Sequence, residues 1–542
     1  MMRGFVTGLA LGAVFSLAAM LVVVPHTARA EDAPLCEGAQ EVDRFGLLRQ
    51  LSLDLRGRVP TYEEYEALID QEEITEAQIV AMFQGEEFRD QLRDYHRGLL
   101  WPSLDKDLQN SLFVSQRIVD KYVGGDIYWS FGASAHYRNV FPLRCANIEQ
   151  TEFDEDGRPV PIFEGDEIPA KACPDGDCVQ EGWVWVTPWW APDTQIKVCA
   201  FDAQEHAVGQ NGSCDNFTSR DPGCGCGPNL ERCVDLQRAD EVAESLEEEP
   251  LRTFEDVIVS RRPYLDAFTT NDVFINRDTV RYYKYQSHTN TNTGRNIAMS
   301  KPLPELPWSE PRDKWVRYER DGVHSGVLTS LAFLVRFGAH RGRVNKLYTT
   351  FLCRPFPPAG VPENGDPCSQ NPDLSERCGC SSCHSTIEPA TVHFGRWETQ
   401  DTFGYLDPEK YPVFSPVCAV CLGSFFCPSE CREYYVSQAS TTDETLLEDW
   451  AGHLSVAAFR SEDELAALDR GPAGILTDPN NLVSFEYCTV ETLAQRLWNR
   501  PLTEGERDRW LPDMASRFSE EGQDYLWLLQ ALLQDERYRK IE

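Results

Sequence analysis

Residues 380–384 read Cys380-Ser381-Ser382-Cys383-His384, a C-x-x-C-H string. Two thiols at this spacing, followed directly by an imidazole, form the attachment signature of a c-type haem. The thiols add to the two vinyl groups of the porphyrin, and the imidazole reaches the iron as proximal ligand. A covalent anchor lets a short segment hold a large flat cofactor without a deep preformed pocket. The competing reading is a disulfide with an incidental histidine. Cys378-Gly379-Cys380 offers Cys380 another partner, although Cys378 is better matched to Cys353 or Cys368. Cys418-Ala419-Val420-Cys421 is followed by Leu422, so no second C-x-x-C-H exists and one covalent haem per chain is expected.

Working outward, the flanks are helical in pattern. Val327, Leu328, Leu331, Leu334 and Val335 form an apolar side within a helical region expected from Val323 to Cys353, which also carries a basic cluster of His340, Arg341, Arg343 and Lys346. Arg341, Arg343 and Lys346 are candidates to pair with haem propionates, the alternative being a solvated helix face. From Glu41 to about Val123, Phe45, Leu47, Leu48, Leu51 and Leu55 recur at helical intervals, and Thr61 with Glu64 and Thr75 with Gln78 are capping boxes that start new helices. Thr503 with Glu506 repeats the device near the other end. Ser287 to Asn296 reads as a loop, and the acidic run Asp240 to Glu249 as a solvated linker or helix face.

Two cysteine-bearing insertions interrupt this pattern. Cys173, Cys178, Cys199, Cys214, Cys224, Cys226 and Cys233 fall among Gly, Asp, Asn and Pro, the texture of a disulfide scaffold. Short strands are expected at Trp183–Val186 and Gln195–Val198. Cys418, Cys421, Cys427 and Cys431 could bind zinc, but two disulfides fit an exported chain better. The expected class is mainly α: a helical core with a c-type haem segment and two cysteine-rich insertions of loops and short strands. The expected divisions are 1–30 signal peptide, 31–125 N-terminal helical domain, 126–250 cysteine-rich insertion and acidic linker, 251–400 helical haem-binding region, 401–487 second cysteine-containing insertion, and 488–542 C-terminal helical domain.

Export is read from the first thirty residues. Arg3 precedes an apolar run from Phe5 to Val24, and Ala28-Arg29-Ala30 supplies a small-residue cleavage site, so the mature chain is expected to begin near Glu31. The run is also about long enough for an uncleaved anchor. No later stretch is apolar enough to span a membrane, which leaves a periplasmic, extracellular or cell-surface protein. The chain holds 87 acidic and 51 basic side chains, a formal charge of -36, which argues against a nucleic-acid partner and suits a cationic redox partner protein. Nineteen cysteines, less two for haem, leave an odd number for disulfides, and Cys36 is a candidate for the unpaired one.

Cys383-His384-Ser385-Thr386-Ile387-Glu388-Pro389 resembles the C-x-x-C-H-x-x-I-D-P element of the planctomycete-type cytochrome c-associated domains, exported proteins that also occur in myxobacteria. His324 to Ser330, Phe351 to Pro358, Asp272 to Asn276, Leu51 to Leu55 and Leu497 to Thr503 resemble the same family. Glu388 stands where the family has Asp, and Thr391, Val392 and His393 replace its Gly-Phe stretch. The resemblance implies a haem-bearing helical core with iron held by His384, and it places His324 on the approach to the haem as the leading distal ligand, ahead of Met299 and His340. A closed sixth position favours electron transfer; an open one favours a haem-dependent oxidase or peroxidase, or a dehydrogenase subunit. A disulfide-stapled surface-binding protein is the third reading.

Overall fold

The computed structural model describes residues 40–541 outside 105–116, 123, 131–136, 141–142, 156, 205–207, 210–211, 214–224, 232, 291–294, 297–300, 321, 357–366, 372, 400–402, 422–426 and 458–464. The expected signal peptide and Cys36, Cys214, Cys224 and Met299 lie outside the described residues.

Four short helices open the fold: α1 (Arg44–Arg56), α2 (Tyr62–Leu68), α3 (Glu76–Ala81) and α4 (Glu86–Leu100). The two capping boxes form as expected, each Thr hydroxyl accepting the backbone N–H three residues on while the Glu64 or Gln78 side chain accepts the Thr N–H. Helix α4 ends on Trp101 in the left-handed region (φ 56), just before Pro102. The helical pattern expected to Val123 therefore stops early, and Arg117–Lys121 is a strand, β1.

β1 belongs to a five-stranded sheet with β2 (Ile127–Ser130), β3 (Trp183–Val186), β4 (Ile196–Cys199) and β5 (Cys233–Asp235), in the order β5-β1-β2-β4-β3. The expected strands pair antiparallel, with Val184 opposite Val198. Val119, Val198 and Val234 are buried, and Cys145–Cys199, Cys173–Cys178 and Cys226–Cys233 disulfides close the surrounding loops. With about 49% helix against 11% strand, the class is mixed with helix dominating, and in the first cysteine-rich segment the expected short strands, set among disulfide-linked loops, join β1 in one sheet.

From β5 the chain enters α5 (Leu236–Val259), which contains the acidic run and passes straight through Pro250. It is a helix face rather than a linker, and it is only partly solvated. Glu255 takes Arg89, Arg93 and Arg252, and Glu248 takes Arg93 and Arg97, so α4 and α5 are joined by ion pairs over a seam whose central Arg93 is buried. A proline inside a helix costs about 3 kcal/mol, which the burial of Phe254, Val257 and Ile258 just downstream offsets. The loop expected from Ser287 begins later, because the helix Arg277–Asn290 continues through it.

The principal core gathers residues from both ends of the chain. Leu47, Leu51 and Leu55 of α1 share it with α6 (His340–Phe351), α7 (Ser381–Thr391), α8 (Pro479–Leu497), α9 (Leu511–Glu520) and α10 (Tyr525–Gln534). Tyr538 donates its hydroxyl to Asp54 at 2.8 Å, and Gln40–Glu41 pairs antiparallel with Lys540–Ile541. The Cys353–Cys488 disulfide ties the exit of α6 to α8. No helix among the described residues is long and apolar enough to cross a membrane.

Candidate functional site

The C-x-x-C-H string sits at the start of α7. Cys380 occupies the N-cap position, and Cys383 and His384 lie in the first turn. Local sequence explains the entry: Gly379 adopts φ 76, a left-handed turn residue. The Cys383 and His384 N–H groups then donate to the Cys380 carbonyl at 3.1 and 3.0 Å. Pro389 does not turn the chain; α7 continues to Thr391 and passes into a 3-10 turn over Val392–Phe394.

Cys380 and Cys383 are thiols, both partly buried, whereas fourteen other described cysteines form seven disulfides. Cys378 is committed to Cys368, one of the two partners expected for it, which removes the nearest competitor for Cys380. The expected pair of disulfides replaces a zinc site in the second insertion, joining Cys418 to Cys431 and Cys421 to Cys427. Seven disulfides are the cysteine chemistry of an oxidising, extracytoplasmic compartment.

His384 is 23% exposed, and its Nδ1 lies 2.6 Å from Glu388 Oε1, one helical turn on. The same oxygen accepts Arg341 Nε at 2.6 Å. A carboxylate on Nδ1 fixes the imidazole tautomer and leaves the Nε2 lone pair available to a ligand, the arrangement metal-bound histidines commonly show. The glutamate at 388 is long enough to reach the ring four residues back along one helix face, and so it orients the imidazole. Two thiols and a carboxylate-held imidazole in this order fit a covalently attached haem.

The members of the basic cluster play different parts. Arg343 is fully buried and donates to the carbonyls of Phe337, Trp397, Leu334 and Glu398, clamping α6 to the segment after α7. Burial pushes its guanidinium down to about 9, against the pull of Glu398. It is spent on structure and is unavailable to a propionate. Lys346 lies 5.8 Å from the Phe337 ring centroid. Arg341 remains 55% exposed beside Glu388. His340 Nε2 contacts the Trp397 carbonyl at 2.8 Å, and burial, reinforced by Arg343, lowers its pKa to about 3.

His324 stands in another cluster. It precedes a 3-10 turn, Gly326–Thr329, rather than opening a long helix. Its Nδ1 lies 3.3 Å from Thr329 Oγ1, and its ring sits 4.9 Å from Trp397 and 6.4 Å from Tyr405. Buried Trp397 separates this cluster from His340, to which it offers its carbonyl. The structure therefore unites Cys380, Cys383 and His384 on one helix and groups His324 with Thr329, Trp397 and Tyr405.

A cleft of about 520 Å³ opens beside α7, and sequence reading did not anticipate it. Its lining includes Arg341, Glu388 and Thr391 together with Arg432, Glu433 and Ser440 of the second insertion. Nothing in the local sequence marks Arg432 for this position, because disulfide-determined packing brings it there. No protein-family model, curated protein or solved structure matches this chain.

Proposed function

We propose that this chain is an exported monohaem c-type cytochrome-like protein that passes electrons outside the cytoplasm, in the periplasm or at the cell surface. The observation that carries the reading is the pair of thiols at the start of α7, followed by an imidazole whose Nδ1 is held by Glu388. Each S–H would add across one vinyl C=C, sulfur bonding to one carbon and hydrogen to the other, so nothing leaves. Haem would supply one-electron iron chemistry that amino-acid side chains do not provide. Cys380 and Cys383 would anchor it, and His384 would present Nε2 with its orientation set by Glu388. The resemblance to the cytochrome c-associated domains supports the same assignment. A formal net charge of -36 over the whole sequence favours a redox partner with a cationic face.

A pyridine haemochrome spectrum of the protein matured in a periplasm tests the proposal. One covalent haem per chain is expected, and its absence would overturn the reading. The Cys383→Ala variant is expected to retain a single thioether, and two thioethers in that variant would defeat the anchor assignment. A reduced spectrum unchanged by carbon monoxide indicates a closed sixth position and electron transfer; a shifted one points instead to oxidase or peroxidase chemistry.

A further inference from the structure

We infer that Arg341 is a positioning residue for the haem site: it acts through Glu388 on His384 and thereby sets the redox potential of the iron. The inference rests on the haem reading and adds to it a third residue, from a different helix. Glu388 Oε1 lies 2.6 Å from His384 Nδ1 and accepts Arg341 Nε, also at 2.6 Å. One carboxylate oxygen is thus shared by an imidazole of α7 and a guanidinium of α6. The Glu388 side chain is only 10% exposed, so little water competes for that oxygen.

The other candidates in the basic cluster are engaged elsewhere. Arg343 donates to four backbone carbonyls and Lys346 sits over the Phe337 ring, whereas Arg341 reaches the carboxylate that orients the proposed iron ligand. Arg341 also stands in the first turn of α6, where Ala339 provides no side-chain cap and the helix dipole disfavours a cation. Stability of α6 alone therefore does not account for an arginine here; the bond to Glu388 of α7 does. A carboxylate on Nδ1 raises the basicity of a ligating imidazole, which favours ferric over ferrous iron. A guanidinium on the same oxygen draws charge out of that hydrogen bond and restrains the effect. Arg341 holds the potential up, toward electron transfer and away from the electron-rich iron that oxygen or peroxide chemistry uses. Its charge also acts on the iron through space, in the same direction, so the test must separate the two paths.

The experiment is a double-mutant cycle read as the midpoint potential of the full chain matured in a periplasm, with Arg341→Gln and Glu388→Gln alone and together. Arg341→Gln is expected to lower the potential by about 59 mV, a tenfold shift in the ferric-to-ferrous ratio. Arg341→Lys, which keeps the charge, recovers part of it. In the Glu388→Gln background the arginine substitution is expected to lose most of its effect. An equal fall in both backgrounds would leave only a through-space charge, and an unmoved potential would leave nothing; either result overturns the inference while the haem reading stands. Circular dichroism melting establishes that each variant is folded. A matured chain without haem would instead overturn the haem reading, and the effect on potential with it. The contact is also read without haem, in the Cys380→Ala/Cys383→Ala chain, from the magnetic resonance of the His384 Nδ1 proton. Arg341→Gln is expected to shift that proton downfield as the bond to Glu388 strengthens. An unmoved resonance would overturn the relay whatever the haem result.

Discussion

The chain carries C-x-x-C twice, at Cys380–Cys383 and at Cys418–Cys421, and the two copies meet opposite fates. The first opens a helix, keeps its thiols and is followed by His384. The second is consumed by its own neighbours, Cys418 by Cys431 and Cys421 by Cys427. Spacing alone does not separate them; the supply of partners does. Two further cysteines follow the second copy within ten residues, and short loops close at small entropic cost. Around the first copy, Cys368 and Cys378 satisfy each other, and Cys353 is held by Cys488. The disulfides near the haem-type motif thereby protect it as well as brace it.

This contrast assigns stability to the staples and chemistry to the thiols, and it can be broken in order of effect. Removing Cys353–Cys488, which closes a separation of 135 residues, is expected to cost roughly 5 kcal/mol in denaturant unfolding. A much smaller loss would show that core packing alone holds α6 on α8.

The helical side has a weak point that no disulfide guards. Glu249 is buried on α5, 2.5 Å from the Tyr283 hydroxyl, and burial raises its carboxyl to about 7 against the pull of Arg320 and Tyr283. Its folded pKa exceeds the ordinary 4.5, so its stabilising contribution is fully present below pH 4.5 and is lost as pH rises through about 7. The loss is roughly 3 kcal/mol by linkage. Glu249→Gln is expected to remove that decline between pH 5 and pH 8, and an unchanged slope would exclude Glu249 as its source.

The Cys421–Cys427 staple spans only 6 residues, and its removal is expected to cost roughly 2 kcal/mol. By contrast, Cys380→Ala/Cys383→Ala in a haem-free chain should change unfolding by no more than about 0.5 kcal/mol. A larger change would give the thiols a structural share. The smallest expected effect is the most pointed. Leu422→His completes a second C-x-x-C-H, and intact mass should still show one haem, because those sulfurs are already spent. A second haem would mean that the string, not the partner supply, decides.

What could be read from the string was mostly local. Thr61 with Glu64 and Thr503 with Glu506 specify helix starts through bonds spanning three residues, and both pairs form. Trp183–Val186 is legible from its β-branched and aromatic side chains. β1 is not: its antiparallel neighbour β2 is close in sequence, but its other neighbour, the parallel β5, lies more than a hundred residues away. Pro250 suggests a break because a proline disfavours helix locally, yet tertiary burial overrides it. At the site, the motif and the i, i+4 relation of His384 to Glu388 are present in the string. The use of Arg343 as a buried clamp and of Arg432 as a cleft wall depends on segments far away in sequence.

The pairing of Gln40–Glu41 with Lys540–Ile541, and the core that Leu51 shares with Leu532, impose an order on assembly. If the chain is exported from its N-terminus, as proposed, it cannot complete that core until its last helices have crossed, since the α8, α9 and α10 part of the packing surface follows last. Cys380 emerges before α8, α9 and α10, while its helix lacks much of its eventual cover. On that reading the fold grants the thiols an interval of access before closure. A chain truncated before Pro479 is accordingly expected to be protease-sensitive yet competent for haem attachment, and failure to attach would place attachment after folding.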